Sequence, residues 1–205
     1  LALRLATPQW RPDGKALMLL SDDNRLIQVE LANHKVSYLT SEPDLVLAGS
    51  WHDKESFYYS KPIADTFQLF YKSVNTGEER QLTLHGGYFS QLMAGTNQIL
   101  FNKRNSAGLW RMDLDTGSQA LVLPEFGADN YSRWQLVNNT LYFRHHNEFG
   151  TGLFQQDVTG SLAPISLADN VWLFHIAADA SKVLISQQEM AYADIKSGYL
   201  INITE

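Results

Sequence analysis

Short apolar runs separated by polar turns recur along the whole chain in the same order. The runs are rich in β-branched and aromatic residues, which favour strands. No long stretch has the spacing of three and four residues that is typical of an amphipathic helix. A large apolar residue inside a short strand-like segment marks the start of each repeat. These residues are spaced 41, 41, 42 and 42 positions apart, and they are Trp10, Trp51, Leu92, Trp134 and Ile176.

Each repeat shows the pattern of four strands. In the first repeat a polar turn after Trp10 leads to a second apolar run at 16–20, and a third run with mostly alternating apolar residues follows at 26–31. A tight turn then recurs, as at Thr76-Gly77, where glycine supplies the positive φ that a hairpin turn needs. A fourth run follows the turn, as at 79–83. Four short strands in a unit of about 40 residues are typical of a β-propeller blade.

The sequence therefore predicts an all-β fold, a single β-propeller domain over residues 1–205 with about five four-stranded blades. The repeats run approximately over 7–40, 45–83, 87–123, 130–167 and 171–204.

The two ends of the repeat array bear on how the ring closes. The fifth repeat has a third run at 191–195 and a fourth at 199–203, so it predicts a complete blade. Residues 1–6 have the pattern of an outermost strand, which either pairs with the last blade to close the ring or belongs to a preceding blade. A complete fifth blade favours the second alternative, in which the chain is a piece of a larger propeller. Exposed edge strands would then favour self-association, so a homo-oligomer is one expectation.

The first two repeats resemble the TolB-like propeller repeat. That repeat reads aromatic-Ser-Pro-Asp-Gly-Lys, an apolar strand, Ser-Asp, a strand ending in Asp-Leu, a glycine turn and Leu-Thr. The residues that carry the resemblance are 10–15 (WRPDGK), 21–23 (SDD), 29–31 (VEL), 39–40 (LT) and 76–83 (TGEERQLT). The third to fifth repeats depart from the pattern, because other residues replace the Pro-Asp-Gly turn. Those replacements lie at 94–96, 137–139 and 178–180.

A narrower resemblance begins in the third repeat. The stretches 108–117 (GLWRMDLDTG), 122–124 (VLP), 133–134 (RW) and 141–143 (LYF) are similar to the C-terminal propeller of bacterial winged-helix transcriptional regulators of the ToxR and CadC type. In that family a DNA-binding domain precedes the propeller, often through one membrane helix. The resemblance implies a non-catalytic sensory or protein-interaction domain, periplasmic when the helix is present and otherwise cytoplasmic. The alternatives are a TolB-type interaction propeller of the cell envelope and the accessory propeller of a hydrolase.

Composition and charge narrow the classes of partner. The net charge is −6 and the 16 basic residues are scattered, with the densest spot at Lys103-Arg104. A nucleic-acid surface needs clustered cations, so we expect no direct nucleic-acid contact by this segment. No apolar run approaches the length that spans a bilayer, so we expect no membrane insertion by this segment. The absence of cysteine excludes disulfides and thiolate chemistry. The expected partner is a protein or a small-molecule signal.

Three motifs that suggest chemistry are better explained as structure. Gly14-Lys15 has no upstream glycine partner and leads into a strand, so it predicts a turn and not a phosphate-binding loop. His145-His146 with Glu148 looks like a metal cluster, but adjacent strand residues point to opposite faces. The stretch 113–117 (DLDTG) resembles the start of a calcium loop, but Pro124 stands where such a loop needs glutamate. We therefore predict no metal site, no cofactor and no catalytic residue.

One set of polar residues is a candidate binding site. The residue directly before each large apolar marker is polar, and the set is Gln9, Ser50, Gln91, Arg133 and His175. The innermost strand of a blade borders the central channel. These side chains therefore either show the ordinary alternation of a strand with one solvent-exposed face or line a polar funnel at the channel mouth. Such a funnel would take a small ligand or a peptide end. Four aromatic residues also have two interpretations, because they could form a partner-binding face or pack between blades: Tyr58, Tyr59, Tyr88 and Phe89.

Overall fold

The computed structural model describes residues 8–41, 46–131, 133–147, 150–158, 165–187 and 199–202. Within these ranges the chain forms five antiparallel sheets, four with four strands and one with three. Each sheet is a meander in which consecutive strands are neighbours, because short turns join them. We number the sheets blade 1 to blade 5 in chain order.

Strand bounds follow the predicted runs closely. Blade 1 contains β1 (Gln9–Trp10), β2 (Ala16–Leu20), β3 (Leu26–Glu30) and β4 (Val36–Tyr38). Blade 2 contains β5 (Ala48–Trp51), β6 (Ser56–Ile63), β7 (Thr66–Ser73) and β8 (Glu79–Gln81). Blade 3 contains β9 (Phe89–Leu92), β10 (Gln98–Lys103), β11 (Ser106–Asp113) and β12 (Gln119–Leu123). Blade 4 contains β13 (Trp134–Val137), β14 (Thr140–Asn147), β15 (Gly150–Asp157) and β16 (Ile165–Ala168). Blade 5 contains β17 (Val171–Ile176), β18 (Lys182–Gln187) and β19 (Tyr199–Asn202).

The blades stand side by side around their first strands. β1 contacts β5, β5 contacts β9, β9 contacts β13, and β13 contacts β17, so the first strand of each blade is the innermost. Between β12 and β13 the chain makes one short 3-10 turn, Ala128–Asn130. Within the described ranges no helix is long and apolar enough to cross a membrane. This arrangement confirms the predicted all-β propeller.

The core lies between the blades and not inside any one of them. Met18 and Leu20 of blade 1 share a buried cluster with Trp51 and Phe57 of blade 2. Between blades 3 and 4 the rings of Phe89 and Trp134 meet edge to face at 5.1 Å between centroids. A flat sheet stacked between two others must bury both of its faces, and large aromatic side chains fill that space. The four aromatics with two open interpretations are all buried, which favours packing between blades: Tyr58, Tyr59, Tyr88 and Phe89.

The stretch 11–15, which joins β1 to β2, forms a tight turn and not a phosphate-binding loop. The Gly14 N–H donates to the Arg11 carbonyl at 2.8 Å, and Gly14 has a φ of +69°. The Asp13 carboxylate accepts the Lys15 N–H at 3.0 Å and the Arg11 guanidinium at 2.9 Å. Asp113 accepts the N–H of Thr116 in the same manner at 2.9 Å. Both carboxylates therefore stabilise their own tight turns.

One expectation about the last blade is wrong. The last run was expected to be the fourth strand of blade 5, but Tyr199–Asn202 pairs directly with β18 and is the third strand from the centre. The expected third run at 191–195 lies outside the described residues. The described part of blade 5 therefore does not support the preference for a preceding blade. In blade 1, 51% of Trp10 is exposed, because the residue lies on the face of the blade turned away from blade 2.

Candidate functional site

Four of the five residues proposed as a polar row occupy equivalent positions in their first strands. Gln9, Ser50, Gln91 and His175 each stand opposite the third residue of the second strand in their blade. In blade 4 the residue opposite the third residue of the second strand is Gln135. Arg133, the predicted member, precedes β13 and lies two positions earlier. The fourth marker is accordingly Leu136 and not Trp134.

Two glutamines of the row bind their blades to the next blade. The Gln91 amide accepts the Leu136 N–H at 2.7 Å and donates to the Trp134 carbonyl at 3.3 Å. In blade 4 the Gln135 amide accepts the Ile176 N–H of blade 5 at 2.7 Å and donates to the Ile176 carbonyl at 3.5 Å. The inner edge of a first strand has no further strand in its own sheet, so these amides satisfy backbone groups that would otherwise depend on water.

The other members of the row make different contacts. The Ser50 hydroxyl donates to the carbonyl of Ser90 in blade 3. The Gln9 carbonyl accepts the indole N–H of Trp51 at 3.3 Å. His175 in blade 5 is half-buried, and burial lowers the pKa of its imidazole. The hydrogen bonds thus assign Ser50, Gln91 and Gln135 to contacts between blades.

Arg133 lies apart from the row, in a shallow cleft between blades 4 and 5. Its guanidinium is 5.3 Å from the centre of the Trp172 ring. The guanidinium of Arg144, on β14, is 5.4 Å from the same ring. Trp134, Gln135, Leu173 and Phe174 complete the lining. We call this place the two-arginine cleft, defined by Arg133, Arg144 and Trp172.

Aromatic and basic side chains continue from blade 4 toward blade 2. The rings of Phe67, Tyr88 and Tyr131 follow one another with centroids 5.7 and 5.8 Å apart. The exposed Arg104 guanidinium lies 4.8 Å from the Phe67 ring centre and 6.0 Å from that of Tyr88. Burial raises the pKa of Tyr88, while the charges of Arg104 and Arg133 oppose the shift. We call Phe67, Tyr88, Arg104 and Tyr131 the basic-aromatic rim.

The rim and the cleft lie at the same end of the propeller. Second strands run antiparallel to first strands, so the end of each second strand meets the start of the first strand. Arg104 follows β10 and Arg144 is near the end of β14, while Tyr88 and Arg133 directly precede first strands. We call this end the hairpin end.

Carboxylates that stabilise turns lie at the opposite end. Asp13, Asp53 and Asp179 each follow a first strand and accept backbone N–H bonds from their own turns. The pKa of Asp13 is lowered first by the hydrogen bond from Arg11 and then by the Lys15 N–H. The pKa of Asp179 is lowered first by bonds from Ser181. Both shifts have local causes, so these carboxylates stabilise the turns in which they lie.

The remaining sequence candidates stay apart from this surface. His145 is exposed and its ring contacts that of Phe154 at 5.6 Å. Glu148 lies outside the described residues, and nothing is described of the His146 side chain. Among the side chains that the structure describes, no group of three or more His, Asp or Glu residues is placed to hold a metal ion.

Sequence reasoning missed Arg104, Arg144 and Trp172 as parts of one surface. The available signal was a basic residue near the end of the second run in repeats two, three and four. It occurs as Lys61, as Lys103-Arg104 and as Arg144. Only the blade topology shows that these basic residues lie at the same end of the propeller, because the three runs are distant in sequence.

The sequence matches no family model, and no curated protein matches it. Solved structures do resemble the fold. A TolB protein from Agrobacterium tumefaciens is 17% identical with a TM-score of 0.77, over 96% of this chain and 76% of that one. TolB from Acinetobacter baumannii is 15% identical with a TM-score of 0.75, over 97% of this chain and 51% of that one. An oligogalacturonate lyase in complex with manganese is 14% identical with a TM-score of 0.62, over 95% of this chain and 61% of that one.

At these identities the likeness shows the fold alone. The chain has a TolB-like β-propeller fold, and it spans about half the length of the Acinetobacter TolB that it resembles. Proteins that share this architecture include enzymes, so the fold does not by itself decide between a binding module and a catalytic one.

Proposed function

We propose that this chain is a non-catalytic propeller that binds a polypeptide partner through its hairpin end. The observation that carries the proposal is the basic-aromatic rim. Tyrosine, tryptophan and arginine are enriched at the centres of protein interfaces, because they supply large contact area at low entropic cost. Phe67 and Tyr131 are half-buried and pack against the buried Tyr88, and Arg104 projects from them at an exposed position.

Packing of the rim makes it rigid before any partner arrives. The Tyr131 hydroxyl donates to the Asn105 side chain at 3.3 Å. The Asn102 amide donates to the Tyr131 carbonyl at 2.8 Å, and its oxygen accepts the Trp134 indole N–H at 3.3 Å. A surface that is already ordered loses little conformational entropy on binding, which favours affinity.

For the wider setting we favour a TolB-type interaction propeller of the bacterial cell envelope, located in the periplasm. The likeness of the fold to two TolB structures supports this choice. The second candidate is the sensory domain of a winged-helix regulator, and the stretch 108–117 with its downstream matches favours it. The two candidates differ in the remainder of the parent protein and agree on a partner-binding propeller.

Partner binding can be tested with the purified chain as bait and two matched charge reversals. Arg104→Glu changes the rim, and Lys54→Glu changes an exposed lysine in the turn between β5 and β6 at the opposite end. A captured protein is purified and titrated against each variant by calorimetry. We expect Arg104→Glu to weaken binding at least about tenfold, because an arginine at an interface centre often contributes more than 1.4 kcal/mol. Lys54→Glu should change the affinity less than about twofold.

Two results would contradict the proposal. One is the absence of any partner that binds saturably in purified form. The other is an equal loss of affinity in both charge reversals, since that would show a dependence on net charge and not on the rim.

The two settings are separated by the parent protein itself. A winged-helix DNA-binding domain in the full-length gene product would support the regulator, and its absence together with recovery of the tagged parent protein in the periplasmic fraction would support the envelope protein. A cytoplasmic parent without a DNA-binding domain would contradict both.

A further inference from the structure

The two-arginine cleft concentrates positive charge on a single aromatic ring. Arg133 and Arg144 approach the Trp172 ring centre at 5.3 and 5.4 Å, although like charges repel. About half of Trp172 is exposed, at 47%, and 43% of Leu173 beside it is exposed. Cation–π attraction between each guanidinium and the ring offsets part of the repulsion at such distances.

Arg133 has unused hydrogen-bonding capacity. Its backbone N–H donates to the Asn130 carbonyl at 2.6 Å, which fixes the position of its main chain. Among the described residues, no group accepts a hydrogen bond from its guanidinium, although the side chain is half-buried. A guanidinium carries five N–H donors in a planar fork that matches a carboxylate with two parallel bonds, and it keeps this edge when it stacks on a ring.

The size and lining of the cleft restrict the occupant. The cleft is shallow and open, with an enclosed volume of about 10 Å³, which is roughly the space of one water molecule. A carboxylate group at the end of one side chain or one chain can lie against its surface, but a whole cofactor cannot be enclosed. The exposed faces of Trp172 and Leu173 offer apolar contact to the methylene groups of such a side chain.

We infer that the two-arginine cleft binds a carboxylate group of an acidic peptide segment, with Arg133 as the bidentate donor and Trp172 as the apolar support. The inference rests on the proposed partner-binding function and names the chemistry of one contact in it. A glutamate or aspartate side chain and a free peptide C-terminus share this chemistry. The cleft adjoins the rim, so one peptide segment can engage both.

Nuclear magnetic resonance of the ¹⁵N-labelled chain can test the inference directly. The chain has five tryptophans, so the spectrum contains one indole N–H signal for each, and Trp172→Phe assigns that of Trp172. Four probes are titrated: acetyl-Ala-Glu-Glu-Ala-amide, acetyl-Ala-Gln-Gln-Ala with a free C-terminus, the same Gln peptide as an amide, and inorganic phosphate. We expect a saturable shift of the Trp172 signal with a carboxylate-bearing peptide and none with the Gln amide.

The two carboxylate probes distinguish the source of the group. A shift with the Glu amide identifies a side-chain carboxylate, and a shift with the free Gln peptide identifies a chain end. Either result supports the inference. No saturable shift with either, or a shift with phosphate alone, would overturn it.

Charge-neutral variants then locate the contact. Arg133→Gln should raise the Kd about tenfold or more, since it removes hydrogen bonds between two charged groups, which are the stronger class of hydrogen bond. Arg133→Lys should give a Kd between those of the unmodified chain and Arg133→Gln, because lysine keeps the charge and loses the planar fork of N–H donors. Arg111→Gln is the matched control, because it removes the same charge from an exposed position on β11. Equal effects of Arg133→Gln and Arg111→Gln would overturn the inference.

The inference and the proposed function fail in different experiments. If a purified partner depends on Arg104 but not on Arg133, the partner-binding function stands and the carboxylate contact is wrong. If the acidic peptide binds through Arg133 but no partner uses the rim, the cleft stands and the proposed function is wrong. Should Arg133→Gln disturb the fold, visible as lost dispersion in the spectrum, Arg133→Lys serves as the second variant, and it should still raise the Kd, by a smaller factor.

Discussion

The hydrogen bonds of Gln91 lead to a prediction that separates a structural role from a ligand-binding role. Replacing Gln91 by alanine removes one short bond of 2.7 Å from the Leu136 N–H and one longer bond of 3.3 Å to the Trp134 carbonyl. A typical intramolecular hydrogen bond contributes about 1 kcal/mol net. The loss of both therefore predicts a destabilisation of about 2 kcal/mol, with the short bond carrying the larger part.

Urea unfolding followed by circular dichroism measures this difference. With an m-value of roughly 2–3 kcal/mol/M, the midpoint should fall by about 0.7–1 M, and the melting temperature should fall by about 4–8 °C for a domain of this size. Gln119→Ala is the control, because that side chain is exposed on β12. A surface change of this kind should stay within about 0.5 kcal/mol.

A specific result would refute the reasoning. If Gln91→Ala unfolds at the same urea concentration as the unmodified chain while binding of a purified partner falls, the amide contacts ligand and not blade 4. The predicted polar funnel would then be the better interpretation of the row.

Two further predictions concern the packing between blades and the response to pH. Gly49→Ala should destabilise by about 1–3 kcal/mol through overpacking, because an added Cβ would lie 2.5 Å from a Leu26 methyl and 2.9 Å from the Met18 sulfur. Urea unfolding checks it, and the cost should shrink in a Leu26→Ala background; a cost that stays the same would contradict the clash. His175 has a lowered pKa from burial, so the unfolded chain takes up the proton first as the pH falls below about 6.5. Lowering the pH from 7.5 to 5.5 should therefore reduce the melting temperature less in His175→Gln than in the unmodified chain, and an equal reduction in both would contradict the assignment.

Local features of the chain were predictable from the sequence. Strand positions follow from the alternation of apolar and polar residues, and the turns follow from glycine and aspartate at fixed offsets. Asp13 and Gly14, for example, form a turn through bonds that span only a few residues. Such features depend on short-range sterics and hydrogen bonding, which neighbouring residues determine.

The register of blade 4 was not predictable from the pattern. Side chains alternate with a period of two, so a shift of two positions keeps every residue on the same face. Trp134 and Leu136 therefore satisfy the pattern equally well, and the even spacing of the repeats favoured Trp134. Only strand pairing shows that Gln135 and not Arg133 belongs to the row.

The sequence by itself determined the repeats, the strands and the chemistry available at each turn, because these depend on contacts within one blade. The tertiary structure alone decided which distant side chains meet. Arg133 before β13, Arg144 on β14 and Trp172 on β17 converge because blades 4 and 5 stack side by side around their first strands. The same stacking turns Gln91 toward a neighbouring backbone and leaves Trp10 on an outward face, since burial in a propeller depends on the adjacent blade and not on the alternation within one strand.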